Sequence, residues 1–278
     1  MTLTTQTDRA VAFRALHERS GIFAIPNPWN AGSARMLAAL GFEALATTSA
    51  GFAFSIGKPD VEGAVTREET LANAREIVDA TPLPVSADLE NGFGDLPETC
   101  AETIRLAAAA GLVGGSIEDA TGRAADPIYP LELAVERVKA AVAAARALPF
   151  PFTLTARAEN FLNKRPDLPD TIRRLQAFAE AGADVLYAPG LKTAEDIAAV
   201  VRAVAPKPVN VVMGLAGAAF SLAELEQLGV KRVSVGSAFA RAAYGAFLRA
   251  AREVKDKGTF TFAGEAVPYA EINALFKR

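Results

Sequence analysis

Along the chain, eight short runs of apolar or β-branched residues stop at polar residues, and each is followed by a stretch with apolar positions at helical spacing. The runs are FAIPN (23–27), ALATTS (44–49), PVSADLE (84–90), GGSIEDA (114–120), TLTARAE (153–159), VLYAPG (185–190), VNVVMG (209–214) and RVSVG (232–236). Helices are predicted over 31–40, 66–80, 96–111, 130–148, 170–182, 193–205 and 221–229, most of them stopping at Gly or before Pro. Eight strand-then-helix units in roughly 250 residues are the count and size of an α/β, (β/α)8 TIM-type barrel. With no linker or low-complexity run, residues 1–278 read as one domain.

Two segments lie outside that repeat. Residues 8–20 predict an amphipathic helix with Asp8 as N-cap, placed to plug the bottom of the barrel. After the last strand, residues 237–278 exceed one closing helix, so 241–278 form a C-terminal helical extension. It either caps its own barrel or, through the apolar face of Phe239, Ala242, Ala243, Ala246 and Phe247, packs on a neighbouring subunit.

Composition narrows the field. The 278 residues are 51% hydrophobic, enough for a sizeable core, and the net charge is −3. A pI near 5.5 favours neither nucleic acid nor an anionic membrane surface. Residues 1–13 hold no apolar stretch of signal-peptide length, and no run approaches a membrane span, so a cytoplasmic protein is expected. The one cysteine, Cys100, falls inside a helix and reads as a buried apolar residue. The one histidine, His17, lies in the leading helix and reads as a surface residue, which removes Ser–His–Asp chemistry and histidine metal ligation.

In such barrels the chemistry sits where strands end. Here those ends carry Asp88, Glu90, Glu118, Asp119, Arg157 and Glu159. Asp88 and Glu90 are two apart on a strand, so both face the barrel mouth. Glu118 and Asp119 end the next strand and let a third carboxylate join. Oxygen-only donors favour Mg²⁺, with Mn²⁺ as the alternative. Arg157 is a two-point contact for a substrate carboxylate or an internal ion-pair partner of the acids. Thr48, Ser49 and Ala50 form a small-residue turn whose N–H groups would cradle an oxyanion. The loop that follows, through residue 66, has the length of a lid and carries Asp60.

Together these residues resemble the isocitrate lyase/phosphoenolpyruvate mutase superfamily, especially its short-chain phosphonomutase and methylisocitrate lyase members. DLENGFG is similar to the family's Asp-x-Asp-x-Gly-Tyr-Gly metal motif, SIEDA to its Ile-Glu-Asp strand end and TARAE to its Ala-Arg strand end. The resemblance implies Asp88 as the direct metal ligand, with Glu90 and Glu118 reaching the ion mostly through water. It implies Arg157 at the substrate carboxylate, residues 48–50 as the oxyanion turn, Asp60 as the acid of a gating loop, and Asn210, ending strand seven, as a substrate contact. It also implies homo-oligomers, tetramers or dimers, in which the last barrel helix is exchanged.

The chain departs from the family's motifs at several points. The second metal-motif Asp is Glu90, and the loop EDATGRAADPIYP lacks the Cys and His of the lyase members. The Lys-Thr-Asn segment of the phosphonopyruvate mutases is missing, and Tyr187-Ala188-Pro189 stands where they carry a His. The expected activity is a Mg²⁺-dependent carbon–carbon lyase or decarboxylase acting on a small 2-oxo or 2-hydroxy carboxylate such as isocitrate, methylisocitrate or oxaloacetate, through an enolate. Asp60, Glu118, Tyr187 or a bound water would move the proton. The alternatives are a phosphorus–carbon bond enzyme of the phosphonomutase type and a 2-oxo acid-binding barrel with little turnover.

Overall fold

The computed structural model describes residues 5–61, 63–217 and 219–277. The signal-peptide reading of 1–13 therefore rests partly on residues outside the description, as does the lid reading at Glu62. Eight parallel strands run β1 (Phe23–Ile25), β2 (Leu45–Ala46), β3 (Val85–Asp88), β4 (Gly114–Glu118), β5 (Thr153–Arg157), β6 (Val185–Tyr187), β7 (Val209–Val212) and β8 (Arg232–Ser234). Their order, β1-β8-β7-β6-β5-β4-β3-β2, brings the chain's first two strands to the two edges. The Ala46 N–H donates to the Pro26 carbonyl (3.0 Å) across that seam. Asn27, which the sequence reading passed over, staples it: its Nδ2 donates to the Thr47 carbonyl, and its Oδ1 accepts from the Val235 and Gly236 amides. This is the predicted (β/α)8 barrel.

The surrounding helices are α1 (Gln6–Glu18), α2 (Ala31–Ala39), α3 (Ser49–Ser55), α4 (Arg67–Ala80), α5 (Pro97–Ala109), α6 (Leu131–Arg146), α7 (Leu168–Glu180), α8 (Ala194–Val204), α9 (Leu222–Gln227), α10 (Ala238–Lys257) and α11 (Tyr269–Phe276). The apolar core lies between sheet and helices. Val85 and Ala87 of β3 pack with Ile77, Val78 and Ile104, and Leu186, Val209, Val211 and Val233 pack with Leu175, Phe178 and Val200. Strand alternation therefore sends the intervening polar residues inward. The barrel interior carries Ser86, Ser116, Thr155, Asn210, Arg232 and Ser234, where branched aliphatics are usual.

The leading helix does plug the bottom. Phe13 of α1 packs with Phe23, Ile25 and Val113. A Cβ at Gly114 would lie 2.8 Å from the Phe13 ring, so only glycine leaves room for the plug. Two details of that helix differ from expectation. Its N-cap is Thr5, with Asp8 returning the bond as the N3 member of a capping box. His17 is not a surface residue: its ring sits edge-on to Phe13 and Phe23, centroids 4.8 and 5.0 Å away. Its Nδ1 faces the Phe13 carbonyl at 2.8 Å, which makes Nδ1 the protonated nitrogen. Burial, with Arg232 next, pulls its pKa down to about 3, so the ring is neutral.

At the other terminus, the proposed boundary at 241 falls inside α10. Of that helix's 20 residues only Ala240 is buried, while Phe239, Phe247, Leu248 and Val254 stay exposed. Cys100 is buried, as expected. Among the described residues no helix is long and apolar enough to cross a membrane.

Candidate active site

The strand ends converge on Arg157. Its Nη1 lies 2.9 Å from Asp88 Oδ1, and its Nη2 lies 3.1 Å from Glu118 Oε2 and 2.8 Å from Glu159 Oε1. Its guanidinium also sits 5.1 Å from the centre of the Tyr187 ring. Burial works against the Arg157 charge, but Glu118, Glu159 and Asp88 outweigh it and hold the group firmly cationic. The internal ion-pair reading of Arg157 is thus realised in the structure.

One guanidinium does not balance this many acids. Burial, reinforced by Glu159, Asp88 and Glu90, raises Glu118 well above the ordinary glutamate value against the pull of Arg157. Burial likewise raises Glu159. Asp60, raised by burial and then by Asp88, faces the same space from the loop after α3. The predicted acids line two adjoining cavities, Asp88 the one of about 240 Å³, Glu90 and Glu118 the one of about 470 Å³, and Asp60 both; the two also share Ser49, Arg157 and Leu162.

A larger cavity of about 660 Å³ lies at the opposite end of the barrel, near His17 and Phe150. Its charged side chains are paired with each other, Arg146 with Asp184 and Arg14 with Glu18, so it offers no convergent chemistry.

Four expectations need correction. First, β3 ends at Asp88, so Glu90 does not share a strand face with it. Glu90 sits in a left-handed turn, φ 48°, and reaches the acid cluster from there. Second, Asp119 does not join the mouth. Neighbouring residues at a strand end point to opposite faces, and Asp119 is buried against Arg174 (3.1 Å), where it accepts the Glu159 amide (2.8 Å). Burial raises its pKa to about 7.

Third, residues 48–50 are not a free turn but the start of α3, with Thr48 as N-cap. The Ser49 amide and hydroxyl both donate to Asp88 Oδ2, at 3.3 and 2.9 Å, and the Gly51 amide donates to Thr48 Oγ1. Ala50 is left to line the cavity. A Cβ at Gly51 would meet Thr48 at 2.6 Å and Trp29 at 3.1 Å, so glycine is what lets this helix start so close to β2. Part of the expected lid is therefore helical. Fourth, Asn210 is the second residue of β7 and not its end. It lines the smaller cavity, bonded to Ser234 Oγ and Arg232 Nε.

The strand register ties these residues together. Glu118, Arg157, Tyr187, Asn210 and Arg232 are paired in one row across β4 to β8. Glu118 and Arg157 close their strands while Arg232 opens its own, so the row descends from mouth to floor. The sequence reading gave no role to Arg232 or Ser234, although both share the inward face opposite Val233.

Whether a divalent cation fits is a question of donors. The side chains are all oxygen donors and their negative charge exceeds that of Arg157, which suits Mg²⁺. Among the described residues no three His, Cys, Asp or Glu side chains are close enough to cage an ion directly.

The family model described as phosphoenolpyruvate phosphomutase matches residues 13–255. The chain belongs to the isocitrate lyase/phosphoenolpyruvate mutase superfamily. A crystal structure from Burkholderia cenocepacia J2315, whose activity is named only provisionally as lyase/mutase, is 66% identical with a TM-score of 0.95, over 98% of this chain and 97% of that one. The 2,3-dimethylmalate lyase of Eubacterium barkeri is 31% identical over 231 residues, 79% of this chain and 77% of that protein. Oxaloacetate acetylhydrolase bound to its product oxalate is 26% identical with a TM-score of 0.88, over 98% of this chain and 95% of that one. The superfamily resemblance drawn from the three strand-end motifs is borne out. The two relatives with named activities, a lyase and an acetylhydrolase, act on small molecules.

Proposed function

We propose that this chain is a Mg²⁺-dependent carbon–carbon lyase or decarboxylase for a short 2-oxo or 2-hydroxy dicarboxylate, with Mn²⁺ as an alternative ion. The observation that carries this reading is the excess of carboxylates over one guanidinium at the C-terminal mouth of the barrel, above a small polar cavity. The names of two relatives point the same way, since 2,3-dimethylmalate and oxaloacetate are both dicarboxylates on a four-carbon backbone.

Asp88 would hold the ion directly, kept in place by Ser49, while Glu90 and Glu118 reach it through water. When bound, the ion supplies Lewis-acid stabilisation of negative charge on the substrate's 2-oxygen. Arg157 fixes the acids and would offer the substrate the one N–H, on Nη1, that they leave free. The carbon–carbon bond would break with its electron pair left as an enolate, in the space that Thr48, Ser49 and Ala50 line. Asp60, Tyr187, Glu118 or a bound water would exchange the proton with the substrate; all three side chains line the cavities at the mouth.

The loop after Asp119 is closed on itself by the Ala120–Ile128 bridge and the Thr121–Pro127 bond, and it contains no thiol acid. Isocitrate-type cleavage should therefore be slow. Phosphorus–carbon chemistry is the second reading, favoured by the matching family description.

The exposed apolar face of α10 supports a homo-oligomer, a tetramer or dimer, in which this helix is covered by or exchanged with a neighbour. The free buried thiol of Cys100 suits a cytoplasmic enzyme. Calorimetric titration with Mg²⁺ tests the metal site. Wild type should bind and Asp88→Ala should not, whereas equal affinity would remove Asp88 from the site.

A further inference from the structure

Arg232 is a buried cation without an anion. It is 6% exposed, and all three of its partners are neutral. Nε donates to Asn210 Oδ1 (2.8 Å), Nη2 donates to Thr155 Oγ1 (3.0 Å), and Nη1 lies 3.3 Å from His17 Nε2. The His17 tautomer set by Phe13 leaves Nε2 as an acceptor.

The other arginine of this cavity and Arg174 behind it are paired with acids. Arg174 pairs with Asp119 and Asp170, and Arg157 with three acids; Arg137 also has no carboxylate partner among the described residues, but it donates to the backbone carbonyls of Asn91, Gly94 and Asp95 and lines none of the strand-end cavity. For Arg232 no carboxylate lies within ion-pair distance among the described residues. Burial accordingly pulls its pKa down to about 10, leaving it charged at neutral pH. An unpaired buried charge is costly to keep. Three of its five N–H donors are engaged, which leaves two for a ligand.

Its position gives this charge a use. Arg232 lines the same cavity of about 240 Å³ as Asp88, Asp60 and Arg157. Arg157 is already surrounded by negative charge, whereas Arg232 is surrounded by none, so the cavity is acidic at its mouth and cationic at its floor. A volume below the ~300–1,000 Å³ of drug-sized pockets suits a small ligand.

We propose that Arg232 is the receptor for the second carboxylate of the substrate, held in place by Asn210, Thr155 and a neutral His17, while the 2-oxo or 2-hydroxy end lies at the mouth. This deepens the reading of the cavity as a substrate site and rests on it. It makes Arg232 the residue that selects dicarboxylates over monocarboxylates.

The test uses malate and lactate, which share a 2-hydroxy acid end and differ in the second carboxylate. Binding is measured by calorimetry in Mg²⁺ buffer, with no turnover required. Wild type should bind malate about tenfold or more tightly than lactate, the scale of a charge-assisted contact. Arg232→Met should lose that preference while its lactate affinity stays the same, and Arg232→Lys should keep part of it. Malate affinity unchanged in Arg232→Met would overturn the proposal, as would equal weakening of both ligands.

Should Arg232→Met fail to fold, a crystal structure of the wild type with malate decides. The distal carboxylate should sit on Arg232, and a carboxylate seated elsewhere would overturn the proposal. Cleavage of oxaloacetate without any malate preference would sink this inference alone. A malate preference without any cleavage would sink the lyase reading and leave the anion receptor standing.

Discussion

Replacing Arg157 with Met tests the electrostatics of the site through stability. Arg157 makes ion pairs of 2.9, 3.1 and 2.8 Å with Asp88, Glu118 and Glu159, and its side chain is only 13% exposed. Removing one partner of a buried pair costs ~3–5 kcal/mol because the other charges stay behind. Arg19–Glu43 serves as the control: it is just as short, 2.6 Å, but 43% and 53% exposed, and such surface pairs contribute ~0–1 kcal/mol.

The pH dependence follows from Glu118 and Glu159, whose values are already raised in the fold by burial. A carboxyl raised on folding favours the native state below its unfolded pKa and loses that contribution as pH rises toward its folded pKa. Without Arg157 both would rise further, so the penalty should widen with pH. Urea unfolding in chelator should show Arg157→Met less stable by ~3–5 kcal/mol at pH 8 and by clearly less at pH 5. Millimolar Mg²⁺ should recover part of the loss by replacing the missing positive charge. A loss equal at both pH values, or no larger than that of Arg19→Met, would refute this account of the acid cluster.

Two further predictions concern the barrel floor and the assembly. His17, with its pKa lowered on folding to about 3, contributes stability that is present above its unfolded pKa and is lost as pH falls toward 3. Urea midpoints for His17→Gln should therefore fall less steeply with acid than those of wild type, by up to ~1.4 kcal/mol per pH unit, and parallel curves would mean the ring does not titrate in this way. Light scattering should find the full-length chain as a tetramer or dimer and Phe247→Arg as a smaller species, while a wild-type monomer at micromolar concentration would remove the exchanged-helix reading.

How much was legible in the sequence depended on the period being used. The eight strands and their order followed from apolar runs bounded by polar stops, because a parallel sheet covered by helices buries both of its faces. The same two-residue period places Glu118 inward and Asp119 outward, yet both were expected at the mouth; parity alone separates them. At Glu90 the period fails physically, since the strand ends at Asp88 and a left-handed residue turns the chain. Arg232 opens its strand run beside Lys231 and belongs to none of the strand-end motifs, so local pattern gives it no role. The apolar outer layer, Val233 included, is what turns Arg232 and Ser234 inward. His17 illustrates the limit of local reading: only the closure of the barrel brings Phe23 and Arg232, distant in sequence, against it.

The central claim is that the acid cluster supports Mg²⁺-dependent carbon–carbon cleavage without a thiol acid. Loss of one general acid typically costs ~10²–10⁴-fold, which falls on isocitrate, whereas decarboxylation of oxaloacetate reaches an enolate without deprotonating a hydroxyl. The direct measurement is steady-state turnover of both substrates with Mg²⁺, with chelator, and with Asp88→Ala. The account predicts pyruvate release from oxaloacetate above the metal-only background, faster than isocitrate cleavage and abolished both by chelator and by Asp88→Ala. Isocitrate cleaved faster than oxaloacetate, or turnover of either that survives Asp88→Ala, would contradict it.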